Sequence, residues 1–405
     1  MSPCYYGYMG VYDTVIVGGG IIGASIALEI SQPGMRVVIL DRQKPGRESS
    51  WAAAGMLSPA PDSPASVPLV SLAQASLEMY AAYVAKIEET SGATTGYRRD
   101  GALEAFFGPT AETNRNELVA EYRWLGLAAE PASAMEARRL ETELSPEIGA
   151  AAWLPDEASI SPRELMQALL AACRERDVDM RADSEVRRIY LQRSRVTGVE
   201  TSGESVAAGC VIIAAGCFSQ LLPGMSRWAP TRPVRGQMVG LRQTDGPLQH
   251  VLRSAHGYVV PREGGFVAAG STLEDAGFEK KVTAGGISKI LRAAVELAPQ
   301  LARAEIVETW SGLRPDTPDH LPVIGSAEVD GLFFATGHYR NGILLAPVTA
   351  KIIGEWILQG GSSFDASVFS PMRFADNISA DDKAGAKEAG HKRIPLRDNC
   401  AGKQP

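Results

Sequence analysis

The chain has 405 residues, of which 45% are hydrophobic and 21% charged, an ordinary globular composition that excludes collagen-like, disordered and disulfide-scaffold classes. At roughly 100 to 200 residues per domain, it has room for one large or two interlocked domains. The 47 acidic and 40 basic residues leave a formal charge of −7, which repels a phosphate backbone, so nucleic acid is not an expected partner.

Residues 1–14 carry neither a basic n-region nor an apolar h-region, so no secretory signal is visible and a cytoplasmic location is expected. Cys4, Cys173, Cys210, Cys217 and Cys400 form no CxxC pair; they read as structural thiols in a reducing compartment, and no metal site is expected. The longest uncharged stretch, Val206 to Ser226, is broken by glycines, Gln220 and Pro223, so it reads as a buried strand and loop and no membrane span is expected.

Thr14 to Val17 is a β-branched run ending in Gly18-Gly19-Gly20. Ile22, Ile26 and Ile30 then line one helix face, and Val37 to Leu40 is a second apolar strand. A β-α-β unit of this length requires a parallel pair and a right-handed crossover, the start of a doubly wound, Rossmann-like α/β sheet. A small-residue segment and a proline-rich connector, Pro59 to Pro68, lead to a helix marked by Leu77, Tyr80, Val84 and Ile87 with Gly92 as its stop. Ser161-Pro162-Arg163-Glu164 reads as a capping box opening a helix through Leu165, Leu169 and Cys173. Between these two helices the chain reads as mixed and irregular.

Val211 to Gly216 is apolar on both faces and is expected to return to the parallel sheet. From 231 to 310, short alternating runs such as Gly257 to Val260 and Gly265 to Ala269 predict an antiparallel second sheet. Leu332 to Ala335 resumes the first sheet, and Pro347 opens a helix that Gly360 ends. The polar stretch 376–405 is too poor in apolar residues to offset its ordering entropy and reads as a flexible tail. The expected division is a discontinuous nucleotide-binding domain, 12–93, 153–230 and 311–375, and an antiparallel-sheet α+β substrate domain, 94–152 and 231–310.

Gly18-x-Gly20-x-x-Gly23 follows a strand and opens a helix, the context that makes this glycine spacing a dinucleotide site. Gly18 permits the turn, Gly20 lets a pyrophosphate approach the backbone, and Gly23 lets helix and strand pack. Asp41, at the end of the second strand, can bond both hydroxyls of an adenosine ribose, and its charge disfavours a 2′-phosphate. FAD and NAD share this fingerprint. Two late glycine-bearing segments, Ala214-Ala215-Gly216 and Thr336 to Gly342, could hold a flat ring far from the first turn, and their order favours FAD.

The segments Val15 to Gly23, Ser49 to Met56, Trp310-Ser311-Gly312-Leu313-Arg314-Pro315 and His338 to Pro347 together resemble the D-amino-acid oxidase superfamily of flavoproteins, most closely its glycine oxidase branch in the thiazole arm of thiamine biosynthesis. The resemblance covers roughly residues 12 to 372. It implies FAD contacts from Ile21, Ile22 and Arg42, from Ser49, Ser50, Ala53, Ala54, Gly55 and Met56, and from Val186, Ala215 and Gly216. At the far end it implies His338, Arg340, Asn341, Gly342, Ile343 and Leu344. Gly312 falls where sarcosine oxidases carry their flavin-attaching cysteine, so the FAD is expected to be non-covalent.

By the same resemblance Arg314 binds the substrate carboxylate, a role suited to a permanently charged, forked guanidinium. Tyr258 adds a hydrogen bond to that carboxylate, Arg340 is a second active-site arginine, and Met56 and Leu273 are apolar neighbours of a small substrate. The N–H groups of Gly342 to Leu345, at a helix start, can stabilise negative charge on the flavin N1–C2=O edge.

The implied activity is oxidative deamination of glycine, sarcosine or small D-amino acids with oxygen, giving the α-keto acid (glyoxylate from glycine), ammonia and hydrogen peroxide. The alternative is a broader D-amino-acid oxidase or dehydrogenase that uses another electron acceptor; a flavin-containing subunit without turnover is a third reading. The family also implies a homo-oligomer, a tetramer.

Overall fold

The computed structural model describes residues 11–243 and 246–375; the expected tail at 376–405 lies outside them. Five parallel strands form the heart of the first sheet, in the order Leu332–Thr336, Ser205–Ile213, Val11–Val17, Val37–Leu40 and Asp179–Arg181. Val323–Ser326 adds an antiparallel edge, and Val186–Gln192 and Arg195–Thr201 form an antiparallel extension from Ser205–Ile213.

Because the central strands are buried on both faces, they read as continuous apolar runs. Ile16, Ile39 and Ile212 face the helices Ile21–Ile30, Val70–Ser91, Pro162–Glu175 and Ala346–Gln359. Val15, Val17, Val38, Val211 and Ile213 face the other way, where Val196 and Val199 of the antiparallel extension join Met225 and Trp228 in covering them. The helices thus gather on one face and a β-meander packs on the other.

The second sheet has eight strands: Glu305–Asp316, Arg232–Arg242, Phe266–Gly270, Gly257–Pro261, Val251–Ser254, Ala102–Phe107, Ile148–Leu154 and Glu130–Ser133, in that order. Only the Val251–Ser254 and Ala102–Phe107 pair is parallel. One face packs Val239, Leu252, Val259 and Val267 against the helix Ala284–Leu297. The other face looks toward the first sheet.

The stretch expected to be irregular is instead built of three of these strands and the helices Ala111–Trp124 and Ala134–Leu140. Its alanine-rich strands, such as Ile148–Leu154 with Ile148 as its one β-branched residue, carry few of the residues by which strands are read locally. The expected seams at 152/153 and 310/311 fall inside the strands Ile148–Leu154 and Glu305–Asp316. At the Pro162 helix the capping box does not form: Ser161 makes no side-chain cap bond, and proline occupies the first position, where its missing N–H is harmless.

Among the described residues, no helix is long and apolar enough to cross a membrane. Cys173, Cys210 and Cys217 are free thiols, and burial pushes each up to about 12.

Candidate active site

A cleft of about 280 Å³, open at its mouth, runs between the two sheets. One end is the first βα turn. Gly18 has φ +107°, and a Cβ there would strike the carbonyl of Ala214 on the neighbouring strand, so both the turn and the strand approach require glycine. A Cβ on Gly23 would collide with the carbonyl of Gly18, which makes Gly23 the packing glycine. Helix Ile21–Ile30 has no side-chain N-cap, which leaves first-turn N–H groups for an anion; the Ile21 N–H is the exception, since it donates to Ser50 Oγ at 2.9 Å.

Asp41 closes the second strand. Its carboxylate accepts from the N–H groups of Gly19 at 2.8 Å and Gln43 at 3.0 Å. Burial nevertheless holds its pKa above the usual aspartate value, outweighing those bonds. Beside it, Arg42 lies over the Phe218 ring at 3.4 Å and pairs with Glu48 at 2.8 Å.

At the other end, one transverse row of the second sheet brings Trp310, Met238, Gly270, Tyr258, Arg253 and Glu104 side by side. A Cβ on Gly270 would lie 2.7 Å from the Tyr258 hydroxyl, so the ring lies across a glycine, with its OH 3.4 Å from Met238 Sδ. The Arg314 guanidinium lies in the same way across Gly236. Its donors reach Thr272 O at 3.2 Å and Ser271 Oγ at 2.8 Å. No carboxylate among the described residues pairs with it, which leaves a cation aimed at the cleft and able to take a ligand's carboxylate.

Segment 49–56 bridges the two ends. Ser49 Oγ donates to Leu313 O, Trp310 Nε1 donates to Ala52 O at 3.1 Å, and Arg262 donates to Ala54 O.

Of the residues expected from sequence, Gly18, Gly20, Ile21, Ile22, Asp41, Arg42, Ser49, Ser50, Ala53, Ala54, Gly55, Met56, Val186, Ala215 and Gly216 line the cleft. So do Tyr258, Arg314, His338, Arg340, Gly342 and Ile343. Gly23, Asn341 and Leu344 do not: Gly23 packs the turn, Leu344 is sunk in the helical core, and Asn341 is half-buried beside the cleft lining. Leu273 is 63% exposed and outside the cleft, because the chain leaves the sheet after Gly270. Arg340 pairs with Asp62 at 2.7 Å and so has a structural partner besides facing the cleft. His338 is buried, with Nε2 3.1 Å from Thr349 Oγ1, and burial lowers its pKa to about 3, so it is the neutral imidazole, with a single ring proton, at working pH.

Gly236, Met238, Gly270 and Phe218 contribute to the site without having been singled out by sequence. The only local signal of the two glycines is their place within alternating strands, which marks a close approach but not what approaches, and Met238 and Phe218 carry none.

A family model described as FAD dependent oxidoreductase (DAO) matches residues 13–356. The chain is 34% identical over 378 residues to the bifunctional protein ThiO/ThiG of Trichormus variabilis, covering 91% of this chain and 56% of that protein. It is likewise 34% identical over 379 residues to glycine oxidase of Geobacillus kaustophilus, covering 91% and 98% of the two chains. The chain thus spans about half the length of the bifunctional relatives it matches. The crystal structure of the Geobacillus kaustophilus glycine oxidase superposes with a TM-score of 0.85 at 32% identity, covering 90% of this chain and 99% of that one.

Proposed function

The chain belongs to the DAO family of FAD dependent oxidoreductases, and from that premise we propose that it oxidises glycine and other small amines or D-amino acids. The products are the α-keto acid (glyoxylate from glycine), ammonia and hydrogen peroxide, and the reaction feeds the thiazole branch of thiamine biosynthesis. The observation that carries the reading is the uncompensated Arg314 guanidinium beside Tyr258, at the opposite end of one cleft from the Gly18 turn and Asp41.

The cleft fits FAD on its own chemistry. Asp41 would take the ribose hydroxyls, and the first turn of helix Ile21–Ile30 would take the pyrophosphate. Near the far end the N–H groups of Gly342, Ile343 and Leu344 find no acceptor among the described residues and would face the ring, whereas the Leu345 N–H, expected to join them, donates to Asn341 O at 2.8 Å. No thiol stands at Gly312, in keeping with non-covalent binding. When bound, FAD supplies the two-electron acceptor, which dioxygen reoxidises.

The protein's part is placement. Arg314 grips the carboxylate with its fork, Tyr258 adds a hydroxyl, and Met56 and Met238 shape an apolar wall that suits a short side chain. With His338 neutral, no histidine here serves as a strong acid, and catalysis rests on alignment, which alone can contribute several kcal/mol.

We assign 12–93, 153–230 and 311–375 to the FAD unit and 94–152 and 231–310 to the substrate unit, with two strands crossing the seams. Homo-oligomerisation, as a tetramer, belongs to the same reading, supported by Trp124 and Met135 at 76% and 63% exposure and testable by light scattering. A cytoplasmic location belongs to it too, supported by the free thiols.

The test is kcat/KM, by peroxide release, for glycine and for a carboxylate-free amine in wild type and Arg314→Ala. Glycine should lose one to several powers of ten, in keeping with about 1.5 to 3 kcal/mol per charge-assisted bond, and the plain amine much less. An equal decline for both would remove the amino-acid half of the proposal.

A further inference from the structure

The turn before the helix Ala346–Gln359 presents two carbonyls that its own backbone does not satisfy in the helical way. A helical carbonyl accepts from the N–H four residues on, but Pro347 has no N–H to offer Ile343. The nearest backbone donor to Ile343 O is the Ala346 N–H, at a long 3.4 Å. The Val348 N–H, the regular partner of Leu344 O, points instead to Ser76 Oγ at 3.4 Å. Two hydroxyls from another helix fill the gaps: Tyr80 OH donates to Ile343 O at 3.0 Å, and Ser76 Oγ donates to Leu344 O at 2.6 Å. Both side chains are fully buried. They stand four residues apart on the helix Val70–Ser91, hence one above the other on one face.

In a trans peptide the C=O and N–H point in opposite directions. Holding Ile343 O from the side of helix Val70–Ser91 therefore sets the direction of the Leu344 N–H, away from that helix. The neighbouring Gly342 and Ile343 line the cleft.

We propose that Ser76 and Tyr80 are positioning residues for the cofactor's charge: Tyr80 fixes the Ile343–Leu344 peptide and Ser76 the Leu344–Leu345 peptide, whose N–H donates to Asn341 O at 2.8 Å, and together they hold from behind the turn whose Gly342 and Ile343 line the cleft. They thereby raise the site's preference for the negative charge that the flavin N1–C2=O edge gains on two-electron reduction. The inference rests on the FAD reading above. A fixed donor array costs no reorganisation when charge arrives, which is why its orientation matters more than its presence.

The experiment measures the reduction potential of bound FAD, by equilibration with reference dyes, in holoenzyme carrying Tyr80→Phe, Ser76→Ala or Tyr83→Phe. Tyr83 is the comparison: it lies on the same helix, and its hydroxyl bonds Ser25 Oγ at 2.7 Å, away from the turn. Tyr80→Phe and Ser76→Ala should each reduce the reduced-to-oxidised ratio at fixed potential about three- to tenfold, ~15 to 30 mV for a two-electron couple. Tyr83→Phe should leave it in place.

Pro347→Ala supplies the missing N–H, so Tyr80→Phe should shift the potential less in that background. Shifts no larger than that of Tyr83→Phe, or an effect of Tyr80→Phe undiminished by Pro347→Ala, would overturn the proposal. If Tyr80→Phe does not fold, Ser76→Ala decides alone. A wild-type protein that binds no FAD would instead fail the cofactor reading, which keeps the two failures apart.

Discussion

Arg314 works by lying flat. Its guanidinium crosses the strand at Gly236, where a Cβ would collide with it, so a side chain there displaces the fork from Thr272 O and Ser271 Oγ. Gly236→Ala should therefore raise the KM for glycine at least about tenfold, the loss of about one charge-assisted bond, while the protein keeps its FAD. A KM unchanged in Gly236→Ala would mean that the fork does not bind in the position seen here. His338 is the opposite case, a polar group kept silent. Burial depresses its pKa from 6.5 to about 3, so below about pH 6.5 the unfolded chain binds a proton that the folded one refuses. Stability from this group is complete above 6.5 and is lost as pH falls toward 3, at up to ~1.4 kcal/mol per pH unit. Unfolding free energies measured from pH 7.5 to 4.5 should fall more steeply for wild type than for His338→Gln, and parallel curves would refute the assignment. Asp41 and Gly18, Gly20 and Gly23 are legible in the sequence because their chemistry is local, a turn and the residue that follows a strand. Gly236 and Gly270 are not, since what makes them necessary is a side chain from another strand whose register no local pattern encodes.

At the scale of elements, the first βα unit depends on a close glycine contact. Gly23 sits where its helix touches the carbonyl of Gly18, so Gly23→Ala must push helix Ile21–Ile30 off the sheet and open the pyrophosphate turn. Loss of FAD on gel filtration is expected, with a drop in stability of about 1 to 3 kcal/mol, the usual cost of overpacking. A Gly23→Ala protein that stays yellow with an unchanged Tm would contradict this packing role. The elements read correctly from sequence are those with strong periodicity and clear stops. Helix Val70–Ser91 ends at Gly92 with φ +67°, and Ser205–Ile213 enters the parallel sheet between Val11–Val17 and Leu332–Thr336. The stretch at 93–161 is misread because its strands are alanine-rich and its partners lie some 150 residues further along, as in the Arg253 to Glu104 pairing. The same helix Val70–Ser91 shows the limit from the other side. Its tyrosines give its inward face, but not that Tyr80 serves a proline-broken turn 263 residues away.

Across the whole molecule, three distant segments meet in one largely buried charge network beside Tyr258. Arg253 Nε donates to Glu104 at 2.9 Å, and its Nη1 lies 3.0 Å from Glu157. Tyr122 OH donates to Glu157 at 3.2 Å, and Ser58 Oγ does so at 2.7 Å. Ser58 lies two residues after the cofactor segment 49–56, so the network fastens the cofactor side of the cleft to the second sheet. One guanidinium balances two carboxylates, and Glu104 is held above its ordinary pKa, first by burial and also by the charge of Glu157, against the opposing pull of Arg253. Removing the cation in Arg253→Met leaves both carboxylates buried without it, at a cost of about 3 to 5 kcal/mol. The sign of the pH dependence follows. A carboxylate whose folded pKa lies above its unfolded value favours folding when protonated, so its stability is fullest at low pH and is lost as pH rises through the folded pKa. Arg253→Met raises that pKa further, so its deficit against wild type should be larger at pH 8 than at pH 5, measured by urea unfolding with FAD present. Glu104→Gln in the Arg253→Met background should recover part of the loss at pH 8 and little at pH 5. Equal deficits at the two pH values would show that Arg253 contributes through packing of its stem and not through charge, and the link between the two sides of the cleft would then be steric.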